Sequence, residues 1–259
     1  MARHPARNAR RNDGNMGSQA DWLWGSHAGM AALGNPARGA PKRLLATPER
    51  AREIQARFPK LAIETMEPAA IARVLPQAAS HQGLALKTEP LEPVALEDLA
   101  EPAAGVLVML DQITDPQNVG AIFRSAKAFG AKGLILQDRR APPLGGALAK
   151  AAAGAVDLLP HARVVNLARA LDELAELGWR AVGLAGQAEE TLEQTVDGRP
   201  TVLVAGSEGE GLRRLVSEHC DALARIPMPG GFESLNVSAA VAVALYEASC
   251  RAGRSRSHP

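Results

Sequence analysis

Cysteine and aromatic residues are scarce in this 259-residue sequence, and long apolar runs are absent. Cys220 and Cys250 are the only cysteines. Two are too few for a disulfide framework or a four-cysteine zinc site, so we expect a packing role and a reducing, cytoplasmic setting. Aromatic residues make up 3% of the chain and hydrophobic residues 46%, which predicts a core of closely packed Ala, Val and Leu. No stretch reaches the roughly 18 apolar residues of a membrane helix, so no membrane association is expected.

The sequence also lacks an excess of either charge. The formal net charge is +1, which argues against a polybasic nucleic-acid binder but allows local basic patches. One patch is the N-terminal segment, where Arg3, Arg7, Arg10 and Arg11 occur without the apolar stretch of a signal peptide. We expect residues 1–20 to be a disordered basic tail, with contact to RNA phosphates as the alternative.

Strand and helix patterns alternate along the chain, which predicts an α/β fold. In residues 21–90, strand-like segments at 43–47 and 61–65 flank a helix that begins at Pro48, and together they indicate a small domain. Residues 91–104 are rich in proline and acidic residues, which predicts a linker between two domains.

The larger domain is predicted at residues 105–251, with a tail at 252–259. Continuous apolar runs at 105–111, 133–137 and 201–206 are typical of parallel strands buried on both faces. Open sheets of this kind bind ligands at the carboxyl ends of their strands. The loops that follow the strands are therefore the places where a site is expected.

The first of three unusual loops follows the strand that ends at Asp111. It leads into a helix that carries Asn118, Gly120 and Arg124. The glycine allows another backbone to approach closely, and the arginine lies less than two turns after the asparagine. A capped helix with a surface arginine is the alternative interpretation.

The second loop is G-S-E-G-E-G, from Gly206 to Gly211. Three glycines in six residues let the backbone fold over a flat ligand. The spacing differs from a dinucleotide fingerprint, and Glu208 and Glu210 would repel a pyrophosphate, which disfavours a nicotinamide-dependent oxidoreductase. A plain glycine-rich turn remains the alternative.

The third loop follows a strand predicted to end at Ile226 and contains Ser234, Leu235 and Asn236. Either Asn236 or Ser238 can cap the last helix. Capping accounts for one of these residues but not for the whole segment.

Together the three loops resemble the SpoU (TrmH) family of RNA ribose 2′-O-methyltransferases, in the SPOUT superfamily. The resemblance covers roughly residues 105–250 and rests on three motifs in this order: N-x-G-x-x-x-R at Asn118 to Arg124, G-S-E-G-x-G at Gly206 to Gly211, and I-P-M…S-L-N-V-S from Ile226 to Ser238. A less specific likeness, W-G-x-H-A…N-P at Trp24 to Pro36, links the first domain to the small RNA-binding domain of the bacterial 23S rRNA guanosine members.

The resemblance implies a fold, a cofactor and residue roles. The implied fold is α/β: a parallel-sheet SPOUT domain with a C-terminal trefoil knot, plus a small N-terminal α/β RNA-binding domain, in a homodimer. S-adenosylmethionine would bind in the knot, mainly through backbone groups, and no metal is expected. The implied cofactor-binding residues are Gly206, Ile226 and Leu235, and the implied catalytic residues are Arg124, Asn118, Glu208, Ser234 and Asn236.

The implied reaction is methylation of a ribose 2′-hydroxyl, with a guanosine of 23S rRNA as the expected target. Arg124 would act as a base or as the group that orients the hydroxyl, with Asn118 and Glu208 orienting Arg124. A guanidinium is not readily deprotonated, which favours the orienting role. A tRNA ribose methyltransferase and a non-catalytic RNA-binding protein of the same fold are the alternatives.

The loop at 138–155 departs from the family pattern, because Lys150 precedes Ala152 at a place where many relatives have a serine. Its substrate contacts are therefore less well defined than the fold. Candidates for phosphate contacts, with simple solvation as the alternative, are Arg139, Arg140, Lys150, Arg213 and Arg214.

Overall fold

The computed structural model of the protein describes residues 21–77, 79–230 and 234–255, the last four of them by backbone only. The basic tail predicted at 1–20 lies outside the described residues, as do residues 256–259 of the predicted C-terminal tail. The described chain forms two α/β units.

The first unit is a four-stranded mixed sheet with three helices. The sheet order is β1-β4-β2-β3, and β4 runs antiparallel to both of its neighbours. The sequence patterns missed β4, which is as long as β2 and whose first three residues are buried, because its sequence L-A-L-K has no β-branched or aromatic residue. The strand predicted at 61–65 is reduced to two residues. The elements are β1 (Trp22–Trp24), α1 (Ser26–Gly34), β2 (Arg43–Ala46), α2 (Pro48–Arg57), β3 (Glu64–Thr65), α3 (Pro68–Val74) and β4 (Leu84–Lys87).

The second unit contains a six-stranded sheet in the order β10-β8-β9-β5-β6-β7. Every pairing in it is parallel, which confirms the predicted parallel α/β sheet. The strands are β5 (Val106–Leu110), β6 (Gly133–Gln137), β7 (His161–Val164), β8 (Arg180–Leu184), β9 (Thr201–Ala205) and β10 (Ala222–Ala224). The helices are α4 (Leu96–Ala100), α5 (Pro116–Ala128), α6 (Gly146–Ala151), α7 (Leu167–Glu176), α8 (Leu192–Thr195), α9 (Arg214–Glu218) and α10 (Val237–Ser255).

Helices cover both faces of this sheet. On one face α5, α6 and α10 form a core around Phe123 and Val241. On the other face α4 and α7 pack through Leu99 and Leu171. The side chain of Asn166 accepts hydrogen bonds from two backbone amides at the start of α7, so the cap predicted for that helix is confirmed. Burial on both faces explains why the strands are continuously apolar.

The predicted linker at 91–104 is not an open tether. It contains α4, and Leu99 of this helix is only 2% exposed. Ahead of α4, the amide of Val94 donates to the carbonyl of His161 at 2.9 Å. This segment is therefore packed against the edge of the large sheet, because its leucines alternate with the acidic residues that mark it as polar.

Two features at the other edge bear on the sequence predictions. β10 ends at Ala224, so the predicted strand end at Ile226 was wrong by two residues. Cys220 is partly buried, and burial raises the pKa of its thiol to about 12, which favours the expected packing role over a reactive one.

None of the described helices has the length and apolar character that crossing a bilayer requires.

Candidate functional site

The helix α5 carries the first motif to the carboxyl end of β5. Asp115 caps the helix by accepting a hydrogen bond from the amide of Gln117 at 3.0 Å, and Pro116 occupies its first turn. Gly120 lets α5 pack closely against α6, because a Cβ at this position would lie 2.5 Å from the carbonyl oxygen of Leu148. Only glycine permits this approach, which places Asn118 at the edge of the sheet.

The second motif forms a closed loop after β9. The amide of Ser207 donates to the carbonyl of Gly211 at 3.1 Å, and the amide of Gly211 donates back at 3.0 Å. Gly206 is buried beneath the loop, and a Cβ there would lie 2.1 Å from the carbonyl carbon of Gly211. The glycines therefore permit a tight loop that projects Glu208 outward.

Three predicted site residues, one from each motif, meet in a single hydrogen-bond network. Oε1 of Glu208 accepts from Nδ2 of Asn118 at 3.0 Å and from Nδ2 of Asn236 at 2.7 Å. Nδ2 of Asn236 also lies 2.9 Å from Oδ1 of Asn118. The backbone amide of Val237 donates to the same glutamate oxygen at 3.4 Å. The network ties together chain segments that are 90 and 118 residues apart.

Asn236 has a second role as the cap of α10. Its Oδ1 accepts from the amide of Ser238 at 2.9 Å and from the Ser238 hydroxyl at 2.6 Å. Of the two predicted capping candidates, Asn236 is therefore the cap. Ser238 was not among the predicted site residues, although its place two residues after Asn236 is typical of a capped helix start.

Arg124 and Ser234 stand apart from the network. Arg124 is exposed on α5 and forms no hydrogen bond or ion pair with any residue that the structure describes. Asn118 and Glu208 bond to each other and to Asn236, and neither bonds to Arg124 in the described chain, so the expectation that they orient Arg124 stays a prediction. Ser234 is likewise exposed. Arg124 therefore presents its guanidinium at the surface of the same helix that carries Asn118.

The predicted cofactor residues offer backbone groups rather than charged side chains. Within the described part of the chain, the amides and carbonyls of Gly206, Ile226 and Leu235 have no hydrogen-bond partner. Leu235 is 39% exposed, and Ile226 packs against the core of the large unit. Such unpaired main-chain groups beside apolar side chains fit an adenosine, and the nearby carboxylate of Glu208 fits a cationic sulfonium better than a phosphate.

Sequence reasoning missed Asp111 as a residue that supports the site. It is fully buried at the end of β5, and its carboxylate accepts from the backbone amide of Arg213 at 2.9 Å and from Nε of the same residue at 2.7 Å. This pairing fastens the segment that follows Gly211 to the strand that precedes α5. An acidic residue directly after an apolar strand was the available signal.

Most of the residues proposed to contact phosphates already bond to other residues of the chain. Arg213 pairs with Asp111, and Lys150 reaches the first unit, where its Nζ donates to Gln82. Arg140 bonds to Gln112, Arg214 pairs with Glu218, and Arg139 is exposed. Among the described residues, no three His, Cys, Asp or Glu side chains are close enough to hold a metal ion.

Comparison with known proteins gives a family, and two of the similar proteins are described below. The sequence model of the SpoU rRNA Methylase family matches residues 105–246, more than half of the chain. An uncharacterized tRNA/rRNA methyltransferase of Synechocystis is 46% identical over 174 residues, which cover 65% of this chain and 45% of that protein. The 23S rRNA (guanosine-2′-O-)-methyltransferase RlmB of Pseudomonas aeruginosa is 45% identical over 172 residues, which cover 64% of this chain and 69% of that protein.

A solved structure resembles nearly the whole described chain. It is the SpoU methyltransferase AviRb from Streptomyces viridochromogenes in complex with the cofactor AdoMet. The two structures superpose with a TM-score of 0.75 at 26% sequence identity, and the superposition covers 92% of this chain and 91% of that one. The likeness therefore extends beyond the family match into the first unit.

Proposed function

Because the chain belongs to the SpoU rRNA methylase family, we propose that it transfers a methyl group from S-adenosylmethionine to a ribose 2′-hydroxyl of RNA, with a guanosine of 23S rRNA as the target. The observation that carries this proposal is the network of Asn118, Glu208 and Asn236, in which the three motifs contact one another.

Gly206, Ile226 and Leu235 would hold the cofactor through their unpaired main-chain groups. When bound, S-adenosylmethionine supplies a methyl group on a positively charged sulfur, which a ribose hydroxyl can attack in line. The similar SpoU methyltransferase AviRb was solved in complex with AdoMet, which supports this choice of cofactor. A C-terminal trefoil knot is part of the proposal, and it is supported by the contact between Asn236 and Glu208 at 2.7 Å, which brings the start of the last helix against the loop at 206–211.

Arg124 is the residue that would act on the RNA. Its guanidinium can bind a phosphate and orient the adjacent 2′-hydroxyl, a role that requires no deprotonation. Glu208 and the two asparagines would hold the loops around the ribose. Positioning of this kind supplies much of the rate acceleration when the methyl donor is already activated.

The test is the variant Arg124→Ala, with Lys127→Ala as the matched control, an exposed cation one turn later on the same helix. Methyl transfer to protein-free rRNA is expected to fall about a hundredfold or more in the first variant and to stay near the wild-type rate in the second. Binding of S-adenosylmethionine, measured by calorimetry, should be unchanged in both. A near-normal rate in Arg124→Ala would refute the assignment.

The RNA class is the part of the proposal that depends on the first unit, proposed here as the RNA-binding domain. The likeness to 23S rRNA methyltransferases favours ribosomal RNA, and RNA of either kind implies a cytoplasmic enzyme. Mass mapping of modified nucleotides in the rRNA and tRNA of a deletion strain distinguishes rRNA from tRNA as the substrate. Loss of a 2′-O-methyl group from tRNA but not from rRNA would replace the proposed target with the alternative.

A homodimer is proposed on a separate observation. Phe129, Val243 and Tyr246 are 37%, 42% and 57% exposed, and the first and last of these rings contact each other edge to face at 6.0 Å. Exposed side chains of this kind, directly after α5 and on α10, are suited to covering by a second copy of the chain. Analytical ultracentrifugation of the wild type and of Val243→Glu measures this, and a monomer in both would contradict it.

A further inference from the structure

A buried ion pair fastens the first unit to the second. Arg38, at the end of the turn Pro36–Arg38, donates from Nε to Oδ1 of Asp157 at 2.5 Å, and both side chains are only 2% exposed. Nδ2 of Asn35 donates to the same carboxylate at 3.1 Å, and Nη1 of Arg38 donates to the carbonyl of Glu89 at 2.9 Å. Buried charges are tolerated only when they are paired, so this contact favours a single arrangement of the two units.

Close packing surrounds the ion pair. A Cβ on Gly154 would lie 2.9 Å from the Cβ of Ala31 in α1. Ala149, which belongs to α6 of the second unit, is 2% exposed and lies in the apolar core of the first unit. Nζ of Lys150 donates to Oε1 of Gln82 at 2.6 Å. The two units therefore share a core, and neither can rotate without breaking it.

The helix α6 that receives these contacts also supports the helix that carries the first motif. The carbonyl oxygen of Leu148 and the Cβ of Ala151 lie 2.5 and 2.7 Å from the place where a Cβ on Gly120 would be. Gly120 stands two residues after Asn118. A continuous packed path thus runs from Ala149, inside the first unit, to the edge of the site.

We propose that Arg38 and Asp157 are positioning residues that hold the first unit at a fixed distance and angle from Arg124, so that the place where this unit grips the RNA selects the nucleotide that is methylated. The inference rests on the proposed function. A unit held only by the segment at 91–104 could present many nucleotides to the site. A unit clamped by a buried ion pair and a shared core presents one.

The test uses the full chain with Arg38→Met, and Arg169→Met as the control, since Arg169 also forms an ion pair but an exposed one within α7. The probe is protein-free 23S rRNA from a strain that lacks the enzyme. In Arg38→Met the KM for this RNA should rise about tenfold, with kcat within about twofold and methyl groups at additional nucleotides. Hydrogen exchange should accelerate in α1 and α6, and binding of S-adenosylmethionine should not change.

The results separate the proposed positioning role from a merely structural one. A lower kcat with unchanged KM and an unchanged methylated position would show a merely structural role and overturn the proposal, as would wild-type behaviour. If Arg38→Met does not fold, the double variant Arg38→Met/Asp157→Leu leaves no buried charge unpaired and is judged by the same KM and position. If the wild type methylates neither rRNA nor tRNA, the proposed function fails and this inference fails with it.

Discussion

The contact between α5 and α6 allows a sharp test of how the site is held. In Gly120→Ala the new Cβ would lie 2.5 Å from the carbonyl oxygen of Leu148 and 2.7 Å from the Cβ of Ala151. Overpacking of this kind costs about 1–3 kcal/mol, and the upper part of that range applies because the nearer atom belongs to the backbone and cannot rotate away. Alanine regains about 1 kcal/mol from its higher helix propensity. We therefore expect a net loss of about 2 kcal/mol.

The matched control is Gly34→Ala, the same substitution in α1 at a position where a Cβ would meet nothing within 4 Å. It should stabilise the chain by about 0.5 kcal/mol. In thermal unfolding the melting temperature of Gly120→Ala should fall by roughly 4–8 °C, while that of Gly34→Ala should stay the same or rise slightly. Methyl transfer should fall only in Gly120→Ala, since the displaced helix carries Asn118 and Arg124. A melting temperature for Gly120→Ala equal to that of the control would refute the reasoning.

Three further changes test other parts of the structure. Glu208→Gln removes the charge that the two asparagine amides bind, so methyl transfer should fall roughly tenfold with an unchanged melting temperature, and a wild-type rate would exclude a role for that charge. Asp111→Ala deprives Arg213 of both hydrogen bonds and should lower the free energy of unfolding in urea by about 2–3 kcal/mol; a loss within about 0.5 kcal/mol would contradict the role given to this pair. Burial lowers the pKa of His161 from 6.5 to about 4, so between these values the unfolded chain binds a proton that the folded chain does not. Stability should therefore fall by about 2 kcal/mol from pH 7 to pH 5, and His161→Phe should remove that part of the slope, whereas an unchanged slope would exclude His161 as its source.

The parallel sheet and the position of the site loops were predictable from local patterns. Continuous apolar runs such as Val106–Leu110 are typical of strands buried on both faces, and the glycines from Gly206 to Gly211 are typical of a turn. The weakly patterned strands were missed. β4 has no β-branched or aromatic residue, and β7 begins with a buried histidine and contains an arginine, so neither resembles a strand until its neighbours are in place.

Three motifs could be found along the sequence, but their meeting point could not. The bonds from Asn118 to Glu208 and Asn236 join segments 90 and 118 residues apart, and no local propensity encodes such distances. The same holds for Arg38 and Asp157, which look like ordinary surface charges in the sequence and are buried together in the fold. Local patterns determine which elements form, because helix and strand formation depends mainly on residues that are close together in the sequence. Only packing decides which side chains from distant elements come into contact, and here that choice fixes both the site and the placement of the first unit beside it.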